Sequence, residues 1–547
     1  MSDEHSPEPT VPLGLTSEVE TVGPQARPSR SRRTTVVTAV AVAVAAVLGG
    51  GAYAAYSFLN GGGPQPADVL PASTVAVVSV DLDPSAGQKI AAIKSIRRFP
   101  VLKKELGLQA DDDLRQFVFE KVTGKGGCSE DFDKDIKPWL GKRAAFAGVD
   151  LGGSTPVPVI ALQITDPAKA RNGFDAIVRC LHPQHFAFVV GDDYLIASDS
   201  TAHAQAVLTQ GKAKPLADDA AYQRWTGEAG DAGVVSFYVG KSAAGYADHL
   251  FDQFSDSFAE GLLGGSPNDA GTGGDGSGGS TNPFASARQA LKGFEGLGGT
   301  IRFSDGGMEL SLATGGLTKV SKSPSVGDEV GDLPGDTAVA LGFGVGKDYA
   351  KTLVDQLGSE GDELSHEAQD QTGLDLPSDL QTLLGTAVTL SLGGDAPASL
   401  DDVRGPEDLP VGLVIHGDAG KIRAIITKIE DHLGSSLADA QLNVDDAGDK
   451  VAIGPGDYAR DELLKHGSLG HQASFAEAVP DADKAGAILY VDFDSKWRDL
   501  LVDAVKDEEG AGSGTQLDEN TKPLRALGIS SWIDGGVTHA LFKLTTD

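Results

Sequence analysis

Asp481, Asp483 and Asp492 fall at the first, third and twelfth places of a calcium-loop spacing. Ala485 and Leu489 occupy the fifth and ninth places, where oxygen ligands are needed, so no calcium site is expected. His366-Glu367 opens like a zinc-protease helix, but Asp370 stands one turn on, where a second histidine must lie to share the metal. Gly342, Gly344, Gly346 and Lys347 lie between a strand and a helix, where a phosphate loop would sit. Asp348 takes the place of the Walker hydroxyl and the glycine spacing differs, so a tight turn is the expectation. Asp81 and Asp83, with Asp492 and Asp494, end strands as carboxylates suited to acid–base work or divalent cations; acids at strand ends are also commonly just solvated. No Gly-x-Ser-x-Gly elbow is present. The sequence therefore assigns no catalytic, cofactor-binding or metal residue, and implies no cofactor.

Cys128 and Cys180 are the two cysteines, and a disulfide between them suits an oxidising compartment. Two free buried thiols are one alternative. Another takes Cys180, His182 and His185 as metal ligands, a spacing that lacks a clear fourth partner.

One basic cluster interrupts an acidic chain. Lys94, Arg97 and Arg98 sit at i, i+3, i+4 beside an apolar stripe of Ala92, Ile96 and Phe99, in a helix that Pro100 ends. They are candidate contacts for lipid headgroups or an anionic wall polymer, and equally a solvated face paired with the chain's own carboxylates.

The elements that position these groups begin with a membrane segment. Residues 36–59 form a run of 24 without a charge, where about 20 suffice to cross the hydrocarbon core as a helix. Arg27, Arg30, Arg32 and Arg33 precede it and no basic residue follows until Lys89, which keeps the N-terminus cytoplasmic. A cleaved signal peptide is the rival reading, with Ala52-Tyr53-Ala54 as its cleavage site. Residues 1–33, rich in Ser, Pro, Thr and Glu without apolar periodicity, read as a disordered tail, and 34–59 as the transmembrane helix. The formal charge is −33, of which the tail contributes −1, so the exported part is strongly acidic. Such a field excludes nucleic acid as a partner. The partners expected are the bilayer, through residues 34–59, and an unidentified envelope protein or ligand.

Laid on itself, the exported part repeats. Leu70-Pro71 opens VAVVSVD as Leu333-Pro334 opens AVALGFGVG, and VPVIALQITDPAKAR aligns without gaps on LPVGLVIHGDAGKIR. Asp305-Gly306 and Asp534-Gly535 are turn dipeptides of two closing hairpins. The organisation expected is a linker at 60–69, a first copy at 70–322 with a Gly/Ser-rich insertion at 264–282, a linker at 323–332, and a second copy at 333–547. The fold class expected is α+β: two tandem copies of a mixed, antiparallel-rich sheet, helices packed on one face, preceded by one transmembrane helix.

The block LPASTVAVVSVDLDPSAGQKIAAIKSIRRFP, from Leu70 to Pro100, preceded by an arginine-bounded apolar run, resembles the bacterial family catalogued as domain of unknown function 3352. The second copy departs from that block, with GFGVGKDYAK in place of DLDPSAGQK. The resemblance implies a membrane-anchored envelope protein and carries no activity or catalytic residues. The function expected is a non-catalytic binding or interaction ectodomain. The alternatives are a lipid or hydrophobic-ligand carrier, whose signature is an apolar cavity, and an aspartate- or metal-dependent hydrolase.

Overall fold

The computed structural model describes residues 64–81, 131–181, 186–231, 233–246, 293–304, 306–316, 323–395, 403–433, 442–509 and 511–546, with isolated residues between 91 and 130 and residue 397. The expected transmembrane segment, residues 34–59, the tail before it and the stripe of Ala92, Ile96 and Phe99 lie outside the described residues. Among the described residues no helix is long and apolar enough to cross a membrane.

Among the described residues each half contributes eight strands. In the first these are β1 (Thr74–Asp81), β2 (Leu140–Val149), β3 (Val157–Ile164), β4 (Ala187–Val190), β5 (Tyr194–Ser198), β6 (Val235–Gly240), β7 (Gly296–Ser304) and β8 (Gly307–Gly315). In the second they are β9 (Thr337–Gly344), β10 (Ala387–Gly393), β11 (Val411–His416), β12 (Asn443–Ala447), β13 (Lys450–Gly454), β14 (Ala487–Asp492), β15 (Leu524–Asp534) and β16 (Val537–Thr546). Short alternating and continuous apolar runs enriched in β-branched Val and Ile favour these strands over helices. At the second closing hairpin Asp534 pairs with Val537, and Gly535 and Gly536 turn the chain at φ +55° and +82°, values an L side chain resists.

The strands do not form two sheets. All sixteen lie in one, in the order β12-β13-β11-β10-β9-β14-β15-β16-β8-β7-β6-β1-β2-β3-β5-β4. Every neighbouring pair is antiparallel, so the expectation of separate mixed sheets is corrected. The physical reason lies at β8 and β16. Each closes its half and would expose a row of unpaired amides, and pairing them removes both edges. Their register runs from Gly307 opposite Thr545 to Gly315 opposite Val537. Ser311 faces Leu541 at its centre, and a shift of 230 positions carries one onto the other, so the seam is a local two-fold axis.

Helices cover both faces, which corrects the one-face expectation. On one face Val77, Ala145, Val159 and Tyr238 form a core with the helices α1 and α2 that follow β5, Thr201–Ala213 and Ala220–Glu228. On the opposite face Leu195, Ala197 and Ile160 pack against Phe174 and Ile177 of Pro167–Leu181, the helix between β3 and β4. The second half repeats this. Ala340, Val414 and Tyr490 pack on one side, while Ile415, Val451 and Leu413 pack on the other against Leu383, Ile422 and Ile426. Strands apolar on both faces need a layer over each.

Candidate apolar binding face

One cross-strand row on the second face carries the clearest signal. From the outer edge of the second half it runs Val444, Ile453, Leu413, Leu390, Leu341, Leu489, Ile529 and Phe542, each directly opposite the next. It crosses the seam to Leu310 and continues through Ile301, Val235, Val80, Ala144, Leu162, Leu195 and Val190 to the other edge. All sixteen strands contribute, and no member of the row is polar. The flanking row over the second half, Val388, Phe343, Ala487, Ser531 and Ala540, holds a single hydroxyl.

The two halves of this row differ in cover. Val235 is fully buried and Ile301 is 3% exposed, whereas Leu341 and Leu390, cross-strand neighbours on β9 and β10, are 43% and 37% exposed. Leu489, Ile529, Phe542 and Leu310 are half-buried. An aliphatic pair left open in mid-sheet is unlike a scattered surface leucine, and contiguous apolar exposure of this kind marks an interaction surface.

A layer of helices on the same side carries further exposed leucines. Four follow β9 and β11: α3 (Tyr349–Leu357), α4 (Ser359–Thr372), α5 (Ser378–Leu384) and α6 (Ala419–Leu433). The Ala350 amide donates to Gln381 Oε1 at 3.2 Å, tying α3 to α5, and Lys428 of α6 pairs with Asp379 of α5 at 2.8 Å. Through α5 and α6 this layer packs on the β11–β13 end of the face. Leu353 and Leu357 of α3 and Leu364 of α4 are all exposed. Among its described side chains α4 is acidic, with Asp362, Glu363, Glu367 and Asp370 and without a lysine or arginine.

The residues singled out from sequence fall elsewhere. Cys128 and Cys180 are joined as a disulfide, Cα atoms 5.5 Å apart. Among the described residues the one grouping of metal-type ligands is Cys128, Glu130 and Cys180, and its two sulfurs are already bonded to each other. Arg98 is half-buried and donates to the Thr546 hydroxyl; Lys94, Arg97, His182 and His185 lie outside the described residues. Asp481 is paired with Lys484 at 2.8 Å, and His366 is exposed on α4. Gly342 belongs to β9, where a Cβ would come within 2.3 Å of Val330, so close packing of a strand against the single-turn helix Gly327–Gly331 accounts for it.

The acidic strand ends do not converge. Asp81 on β1 and Asp492 on β14 are separated by six interstrand steps, about 29 Å at ordinary strand spacing. Asp81 is buried against Arg143, Oδ2 to Nε 3.6 Å. Asp492 has its pKa raised by burial, against the opposing effect of the Asp494 amide and the Tyr490 hydroxyl.

A polar clasp went unread in the sequence because its members are far apart along the chain. The Pro64 carbonyl accepts from Arg143 Nη1 at 3.1 Å, Tyr194 Oη at 2.9 Å and Gln163 Nε2 at 3.3 Å. Burial pushes the Tyr194 phenol well above its usual range, which keeps it a donor.

Comparison with known proteins adds little beyond one family. No curated protein matches the chain. A solved structure titled "Structure of crystal form III of TP0453" aligns at 8% identity over 48% of this chain and 83% of that one, with a TM-score of 0.22. Residues 36–180, from the apolar run through the first three strands, resemble the family described as "Protein of unknown function (DUF3352)".

Proposed function

We propose that this chain is a non-catalytic, membrane-anchored binding protein of the cell envelope that carries an apolar ligand on the open part of its second sheet face. The observation that carries the reading is the pair Leu341 and Leu390, exposed in the middle of a row that is apolar on every strand. Anchoring through residues 34–59, with the N-terminus cytoplasmic and the sheet outside, is supported by the uncharged run and the arginines before it. The Cys128–Cys180 disulfide fits the oxidising side of a membrane.

The test is binding of an uncharged fluorescent dye, N-phenyl-1-naphthylamine, to the full-length protein and to its Leu341→Asp/Leu390→Asp variant. Both carry the same anchor, so their difference reports the face. Saturable binding at least tenfold weaker in the variant is expected. Identical titrations would remove the reading.

A further inference from the structure

We infer that the ligand is a diacyl lipid whose headgroup carries no net negative charge, its acyl chains lying across the strands; this rests on the binding reading above. The path runs from Leu413 through Leu390, Leu341, Leu489 and Ile529 to Phe542, five interstrand steps or about 24 Å. None of these side chains donates or accepts a hydrogen bond. A peptide laid there would bury its amides without partners, at a cost of about 1–3 kcal/mol each, whereas a hydrocarbon chain has nothing to satisfy.

Charge selects among lipids. The exposed Leu364 sits on α4, which carries Asp362, Glu363, Glu367 and Asp370 and neither lysine nor arginine, and the whole chain carries −33. A phosphatidylglycerol headgroup beside α4 would meet like charge, while a choline or ethanolamine ammonium would meet opposite charge.

The experiment incubates full-length protein at low salt with vesicles of phosphatidylcholine or of phosphatidylglycerol with matched acyl chains. The protein is then re-isolated, and bound lipid is counted by native mass spectrometry against the Leu341→Asp/Leu390→Asp variant. One phosphatidylcholine per chain in excess of the variant is expected, with phosphatidylglycerol retained at least tenfold less. Equal retention of the two lipids overturns the inference. So does an absence of excess lipid while the uncharged dye still separates wild type from variant, an outcome that leaves the binding reading intact. If the dye fails as well, both fall. A Leu341→Gln/Leu390→Gln variant, with circular dichroism on each protein, separates loss of the face from loss of the fold.

Discussion

Arg143 and Asp81 form a buried ion pair on adjacent strands β2 and β1, and the same guanidinium holds the Pro64 carbonyl, where the chain enters the sheet. Removing one partner takes away the other's buried counter-charge.

Arg143→Met is therefore expected to destabilise the protein by about 3–5 kcal/mol, read from urea unfolding followed by tryptophan fluorescence. The Asp81→Leu/Arg143→Met double variant should recover much of that loss, because both charges of the pair are then removed together. A double variant as unstable as the single would show that packing, rather than the loss of Asp81's buried counter-charge, sets the cost.

His416 ends β11 buried, with its Nε2 lacking a hydrogen-bond partner. Burial, reinforced by Lys450, lowers its pKa from 6.5 to about 4, against weaker raising effects of Asp449 and Asp332. The folded protein thus keeps the ring neutral while the unfolded chain takes up a proton below pH 6.5. Stability from this group is complete above that pH and declines as pH falls from 6.5 toward 4, by up to about 3 kcal/mol. His416→Ile, the residue type of the aligned Ile164, should flatten that part of the profile. An unchanged slope between pH 6.5 and 4 would mean that other groups produce it.

The disulfide closes a sequence separation of 52 residues. Replacing Cys128 and Cys180 together by serine is expected to cost up to about 4 kcal/mol by the chain-entropy account. Wild type in reductant should unfold with the variant's midpoint, and a gap between the two would point to damage from the serines themselves.

Gly342→Ala brings a methyl into Val330 and is expected to destabilise by about 1–3 kcal/mol, measured as a lowered thermal midpoint. By contrast Leu341→Ser, one residue away on the open face, should cost less than about 1 kcal/mol, whereas Ile301→Ser in the covered part of the same row should cost several times more.

Local patterns were readable because short-range physics decides them. The Asp534-Gly535 dipeptide marks its hairpin through the left-handed conformations that the turn needs, and the aligned Leu-Pro openings mark where β1 and β9 begin. The single sheet was not readable. It depends on β8 meeting β16 across 230 positions, and no local pattern distinguishes a closing strand that pairs from one left as an edge. Two-sided burial was misjudged for a related reason: AVALGFG is apolar at both parities, so it does not say which face is open. Leu341 and Leu390 carried no sequence signal, since an exposed leucine and a core leucine are the same letter. His416 was hidden because its aligned partner is isoleucine.

The seam also fixes an order of events during synthesis. β8 is complete once residue 315 has emerged, but its partner consists of residues 537–546. Throughout translation of the second half, the amide edge of β8 stays open to any other extended segment. That open edge, rather than either hydrophobic core, is where the growing chain is exposed to wrong strand pairing.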